Sequence, residues 1–449
     1  MGKGTRLSSL VVIVIVVLLV RGVAFLVCPV DMRQIGRDLG PDGWLDISRN
    51  VVSGQGYTLL GTPTAFRGPT VIYFFAAALW LFGDNLWSIV SAQWLVDVVT
   101  AIVIFFIALE VFQDRRVAWV SSLFFALYGS GIIYTFRAFS EPLYTLSLAG
   151  FTLSLLQALR QPQTWRFALC GALLGLSVMA RPSMQFYPLF VLPLLYWTTT
   201  LNWRQVCSYF AIFIIVFVAV LSPWVIRNYL IFDAFIPGST HSGLPFYEGQ
   251  YALDKPNYLR YSPVEESRQG LIKALEPRLG PAPGITDLPT YIQAKGLNEY
   301  EFQQIAFQEG VKIVRAFPGR YVIVSLVRSL RFWFGKQFVN FLLTGKKLLG
   351  GLLPFLINGT LLGLTILAFV CYRGSWRRRA IPIVALVVYQ TAIYSATLAV
   401  GRYSVPITPY VMLFAALTVV HLFSGRRMAQ RVEAAGFPRP SPQPSDGGS

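Results

Sequence analysis

Three acids and four arginines stand where chemistry is worth seeking. They are Asp42 and Asp46 in GPDGWLDISRN, Glu141 in FSEPL, and Arg67, Arg181, Arg227 and Arg402, each close to a proline at the edge of an apolar run. A carboxylate within reach of a hydroxyl can take its proton, and guanidinium groups gathered about one cavity can grip a phosphate bidentately. Each residue also has a plain structural role open to it. Asp46 could be a helix residue facing water, and Glu141, before Pro142, could favour the positive end of a helix dipole. Arginines at helix ends commonly snorkel to lipid headgroups.

Other reactive side chains offer less. His241 and His421 are the only histidines, and Cys28, Cys170, Cys207 and Cys371 lie within or at the ends of apolar runs. Neither a metal site built on them nor a disulfide is expected. Arg21 and Asp97 are the charges nearest the middle of apolar runs, where an unpaired charge is expensive, so they are expected to pair.

The element that must position these groups is a membrane bundle. The 449 residues are 55% hydrophobic and 13% charged, with a mean hydropathy of +0.56, against about 25% charged in soluble domains. A soluble globular protein is excluded. Apolar runs, most of them long enough to cross a core of roughly 30 Å as helices, lie at Met1–Pro29, 86–112, 117–138, 141–159, 167–181, 183–200, 206–227, 348–371, 379–400 and 404–424. The first is read as an uncleaved helix rather than a signal peptide. The fold class is therefore an all-α polytopic membrane protein of about ten transmembrane helices.

Two segments are held out of that count. Pro69–Gly83 would reach only about 22 Å at 1.5 Å per residue, and Arg320–Leu343 carries Arg320, Arg328, Arg331 and Lys336, which suits an interfacial helix. Arg115/Arg116, Arg160/Arg166, Arg204, Arg373/Arg377/Arg378/Arg379 and Arg426/Arg427/Arg431 then all fall on the side of Lys3 and Arg6. By the positive-inside rule that side is the cytoplasm, with both termini there and the protein in the plasma (inner) membrane. The net charge of +17 is thus orientation charge, and no nucleic-acid partner is implied.

The chain divides into an N-terminal transmembrane half, 1–227, with a first outer loop at 29–85; an extracytoplasmic loop, 228–347; C-terminal transmembrane helices, 348–424; and a tail, 425–449, ending PRPSPQPSDGGS and expected to be disordered. The candidate acids and arginines fall on the extracytoplasmic face. No internal repeat is visible.

The first outer loop, GPDGWLDISRNVVSGQGYTLLGTPTAFRGP, resembles the first periplasmic loop of GT-C glycosyltransferases, among them the protein O-mannosyltransferases and the lipid A aminoarabinose transferases. These typically show an Asp, a helix, Gly-x-Gly-Tyr and Arg-Pro-Pro. Gly54, Gly56 and Tyr57 match, whereas Arg67-Gly68-Pro69 departs by one residue. Ala126-Leu127-Tyr128 followed by Phe139-Ser140-Glu141-Pro142-Leu143 looks like the second acidic motif, and Gly171-x-x-x-Gly175-Leu176 with Ala180-Arg181-Pro182 resembles the fifth-helix ending. Pro223-Trp224-x-x-Arg227-Asn228-Tyr229, Pro237-x-Ser239-Thr240-x-x-Gly243 and Arg402-Tyr403-x-x-Pro406 are similar to later motifs in the same order. The sector 250–315 matches none.

The resemblance implies a GT-C bundle and an inverting glycosyltransferase. Its sugar comes from a polyprenyl-phosphate-linked donor in the membrane lipid and passes to a glycan, lipid or protein acceptor on the extracytoplasmic face. Phosphate leaves without a proton, so one carboxylate base suffices, unlike the two of glycosidases. The resemblance favours Asp42 for that role, with Asp46 in reserve. It makes Glu141 a second acidic site residue that orients the acceptor or holds a divalent cation with Asp42; it names no other cofactor. Arg67, Arg181, Arg227 and Arg402 would bind the donor phosphate, with Arg227 and Arg402 converging on it. Trp44 or Tyr57 could stack on sugar. The alternative is a transporter or flippase of lipid-linked sugars, which paired charges along a central path would favour.

Overall fold

The computed structural model describes residues 3–27, 43–259, 263–281, 285, 287–344 and 352–434. Its first half runs α1 (Lys3–Val27), α2 (Trp44–Val52), a short hairpin of β1 (Thr58–Leu59) and β2 (Thr62–Pro63), α3 (Pro69–Phe82), α4 (Leu86–Phe112), α5 (Arg115–Leu127), α6 (Gly129–Tyr134), α7 (Glu141–Arg160), α8 (Thr164–Ala180), α9 (Pro188–Thr198) and α10 (Trp203–Phe232). There follow α11 (Gly243–Gln250), α12 (Val264–Leu279), α13 (Leu288–Ala294), α14 (Glu299–Ala316), α15 (Pro318–Phe334) and α16 (Lys336–Thr344), then α17 (Leu352–Cys371), α18 (Trp376–Ala396) and α19 (Thr408–Ala434).

Among the described residues six helices are long and apolar enough to cross a membrane: α1 over Leu10–Val27, α4, α7, α10, α17 and α18. Four shorter apolar helices, α3, α8, α9 and α19 over Thr408–Ser424, complete the apolar set. The run 117–138 is split at Tyr128, whose extended backbone separates α5 from the short α6. The run 183–200 becomes a 3-10 turn over Pro182–Met184 and an 11-residue α9, about 16 Å long, with a proline opening each piece. At the far end, α19 continues to Ala434, past the boundary at Gly425, and the rest of that tail lies outside the described residues.

Of the two segments held out of the count, α3 packs on α8 and α2, and α15 lies across one end of the bundle. Before α3, Gly68 presses on the end of α8 so closely that a Cβ would sit 1.8 Å from the Met179 carbonyl oxygen. Beyond α3, Asp84 pairs with Arg49 of α2 at 2.8 Å, so α3 finishes beside the helix that precedes it. In α15, Tyr321 donates to the Ala396 carbonyl at 3.0 Å, and Phe332, three turns later, stacks on Tyr394 with centroids 5.5 Å apart. The helix therefore crosses the end of α18 rather than running along it. Its buried arginines donate to protein carbonyls, Arg328 to Gly249 and Arg331 to Leu259.

The main core joins α1–α5, α7–α10, α18 and α19, with Phe332 of α15 and Ala368 of α17. Packing of α8 on α10 is at backbone contact, since a Cβ on Gly171 would lie 2.3 Å from the Phe213 carbonyl oxygen. Inside this core Arg21 pairs with Asp97 at 2.7 Å and also donates to the Ala126 carbonyl, as the cost of a lone charge requires. A second, smaller core of Leu244, Tyr247, Leu271, Leu275, Tyr291 and Phe302 holds α11–α14 together.

Candidate active site

Motifs far apart in sequence meet at one cavity of about 530 Å³, whose wall includes Arg67, Glu141, Arg181 and Arg402. Glu141 opens α7 and is 1% exposed. Its Oε1 accepts from Arg181 Nη2 at 2.5 Å and lies 3.7 Å from Arg402 Nε. Arg181, just past the end of α8, also donates from Nε to Ser140 Oγ at 2.9 Å. Among the described residues Glu141 Oε2 has no hydrogen-bond partner. Glu141 is thus held by cations from two other segments, beyond any effect of its own helix dipole.

Aromatic rings fix the arginines. The Arg67 guanidinium carbon lies 4.3 Å from the Phe66 ring centre and 5.0 Å from that of Trp44; Arg402 sits 5.4 Å from both Phe139 and Tyr403. Such contacts favour a cation while leaving its N–H edge for hydrogen bonding. Gly68 shows why Arg-Gly-Pro replaces Arg-Pro-Pro: the approach to Met179 leaves no room for a Cβ beside Arg67.

The remaining candidates are placed differently. Asp42 lies outside the described residues. Asp46 is half-buried in α2, where burial raises its pKa against the pull of Arg49, but Trp44 is the residue of that helix in the cavity wall. Arg227 corrects the expectation that it converges with Arg402. It is not in the wall; it donates to the Thr64 and Tyr57 carbonyls at 2.7 and 3.1 Å and packs on Tyr57 and Trp224. Tyr57 is likewise no platform for sugar, being buried with its hydroxyl on the Arg67 carbonyl at 2.8 Å.

Several wall residues had no assigned role in the sequence. Gln303, Gln304 and Phe307 of α14, with Phe246 of α11, line the cavity from the unmatched sector and its flank. His241, weighed only as a metal ligand, is a wall residue whose buried Nδ1 has no hydrogen-bond partner among the described residues. Burial, then Arg67, Arg268 and Arg402, hold its pKa well below the usual histidine range, so it is neutral. Glu299 ties the pieces together, accepting from Thr64 Oγ1 at 2.5 Å, from the Ala65 amide at 3.2 Å and from Thr240 Oγ1. The sequence signal for α14 is the Asn298/Glu301 capping box; none of it says which cavity the helix covers.

Among the described residues Glu141 is the one carboxylate in the wall. Two guanidinium groups already face it, a setting of net positive charge. It suits an anion.

Over residues 66–226 the chain matches the family described as dolichyl-phosphate-mannose-protein mannosyltransferase. It is similar in structure to the Archaeoglobus fulgidus oligosaccharyltransferase solved with a tethered acceptor peptide containing the NVT sequon: TM-score 0.56 and 14% identity over 97% of this chain and 51% of that one. It spans about half the length of that enzyme. ArnT from Cupriavidus metallidurans bound to undecaprenyl phosphate gives a TM-score of 0.41 at 15% identity over 98% of this chain and 82% of that one. No curated protein matches the sequence. Among the described residues the fold is helical apart from the β1–β2 hairpin, and it is the fold of that oligosaccharyltransferase. Its resemblance to the mannosyltransferase family is carried by 66–226, the stretch that supplies Arg67, Glu141 and Arg181.

Proposed function

We propose that this protein is an inverting glycosyltransferase that moves a sugar from a polyprenyl-phosphate-linked donor to an acceptor hydroxyl on the extracytoplasmic face. The observation that carries this reading is the convergence of Arg181 and Arg402 on Glu141, with Arg67 in the wall of the same cavity. Cations outnumber acids there, which favours a phosphate. The family described by its dolichyl-phosphate-mannose donor supports the same choice.

In this reading Arg67, Arg181 and Arg402 hold the donor phosphate and stabilise the charge that builds on it as the sugar bond breaks. A carboxylate takes the proton of the acceptor hydroxyl, whose oxygen attacks the anomeric carbon from the face opposite the phosphate. Asp42 is assigned that role; the support is that Trp44, two residues on, lies in the cavity wall. Glu141 sets the arginines, and a divalent cation held by it together with Asp42 is the one cofactor this reading leaves room for. The neutral amides Gln303 and Gln304 face the same space.

The test is transfer from labelled polyprenyl-phosphate sugars by the purified protein, with Asp42→Asn expected to lower turnover about 10²–10⁴-fold. Loss in Asp46→Asn instead moves the base four residues along, and full activity in both variants removes the base assignment. Reporter fusions after Arg116 and Arg379 should read cytoplasmic; an extracytoplasmic signal would overturn the proposed face.

A further inference from the structure

A second cavity, of about 280 Å³, lies at the other end of the bundle. Glu141 and Arg160 are the first and last residues of the 20-residue α7, and at 1.5 Å per residue they are about 30 Å apart, the thickness of a hydrocarbon core. The second cavity, with Arg160 in its wall, is therefore at the headgroup level opposite the candidate active site. Its polar side is formed by Arg160, Arg378 and Arg379 with a single acid, Glu110. Its other side is apolar, with Leu156, Leu159 and Pro382.

The charges there do not balance. Arg160 pairs with Glu110 at 2.9 Å, leaving two guanidinium groups with no second carboxylate in the wall. Arg379 reaches only the neutral Ser375 hydroxyl, at 3.3 Å, and its buried Nε has no hydrogen-bond partner among the described residues. Snorkelling explains an arginine that points out to the lipid; it does not explain arginines from the end of α7 and the start of α18 lining one pocket with an apolar wall. A ligand that fills such a pocket carries an anionic head and an apolar body, and basic pockets between transmembrane helices hold lipid headgroups in this way.

We propose that this cavity binds the phosphate of an anionic phospholipid headgroup, with the first acyl carbons against Leu156, Leu159 and Pro382. The site is independent of the proposed glycosyl transfer and stands or falls without it. Free inorganic phosphate shares the headgroup's charge but has nothing for the apolar wall.

Native mass spectrometry of the full-length protein in detergent tests it, with phosphatidylglycerol, phosphatidylcholine and inorganic phosphate as probes. The wild type should retain phosphatidylglycerol at least about tenfold better than phosphatidylcholine. Each arginine near a headgroup is worth about fivefold, so Arg378→Gln should weaken retention by about that factor and the double variant Arg378→Gln/Arg379→Gln by about 25-fold. Arg378 is exposed, so the single variant keeps the fold even if the double does not. Arg278→Gln, in α12, should change nothing. Equal retention of the two lipids, unchanged retention in Arg378→Gln, or displacement of phosphatidylglycerol by an equal concentration of inorganic phosphate would each overturn the proposal.

Discussion

Two buried arginine–carboxylate groups sit in this bundle, and they differ in what they leave unfinished. Arg21 and Asp97 close on each other, the Ala126 carbonyl takes another guanidinium N–H, and neither residue lines a cavity described above. Glu141 is as deeply buried, yet among the described residues one of its oxygens has no hydrogen-bond partner and its cations, Arg181 and Arg402, line open space. Burial and pairing alone therefore do not mark a site. A closed pair joins helices, whereas a pair that opens on a cavity is available to a ligand.

The sharpest way to break this contrast is Asp97→Asn. It strands the Arg21 cation inside the bundle, and breaking a buried pair costs about 3–5 kcal/mol. Yield and melting temperature should fall steeply, while molecules that fold transfer sugar at close to the wild-type rate. If folded Asp97→Asn melted normally but had lost transfer, the two groups would belong to one functional path, as a transporter requires.

Glu141→Gln should show the reverse pattern. The arginines lose the charge that sets them, and turnover should drop about 10²-fold, as when one preorganised electrostatic contact is removed. The melting temperature should fall less than in Asp97→Asn, because the cavity admits water to the freed guanidinium groups. Parallel turnover and melting measurements on the two variants decide the matter.

What could be read from the sequence follows the same divide. Arg67, Glu141, Arg181 and Arg402 were legible because each begins or ends a helix at one membrane level, and a bundle brings such ends together. Arg227 shares that level, but its helix register turns it toward the Thr64 and Tyr57 carbonyls, and register against a loop is a tertiary fact. The same limit hid α14. Its cap and apolar spacing announce a helix, but only folding onto α11 brings Gln303, Gln304 and Phe307 to the cavity. Hydropathy found the apolar segments but not the break at Tyr128, where the run stays apolar while the backbone turns extended.

Arg402→Lys set against Arg227→Lys gives a smaller, sharper test. An ammonium cannot copy the planar fork, and a hydrogen bond to a charged group is worth about 1.5–3 kcal/mol. Arg402→Lys should raise the apparent donor KM about tenfold or more. Arg227→Lys should leave donor KM alone and lower the melting temperature, since it loosens two backbone carbonyls. A donor KM that rises only in Arg227→Lys would return Arg402 to lipid anchoring and restore Arg227 as the phosphate ligand.

The smallest effect is expected at a third carboxylate, the half-buried Glu299, which is closed in by hydroxyls and an amide rather than by arginines. Burial pushes its carboxyl above the ordinary 4.5, with Thr240, Thr64, the Ala65 amide and Arg227 pulling only partly back. The folded protein therefore holds this proton more firmly than the unfolded chain does. Between 4.5 and the raised folded value it binds more protons, so this group's contribution to stability is greatest at low pH and declines as pH rises through that window. Glu299→Gln removes the titration but keeps the side chain's shape. It should lower stability somewhat at every pH, because one acceptor becomes a donor facing hydroxyls, and it should flatten the pH dependence. Melting temperatures at pH 5 and pH 7 measure this: the fall from the lower to the higher pH should be smaller in the variant than in wild type, by on the order of 1–2 °C. A variant that falls as far as wild type would mean that Glu299 does not titrate in this window. A larger fall would reverse the sign and make its charged form the one that Thr64, Ala65 and Thr240 prefer, bringing it closer in kind to Glu141 than to a closed structural contact.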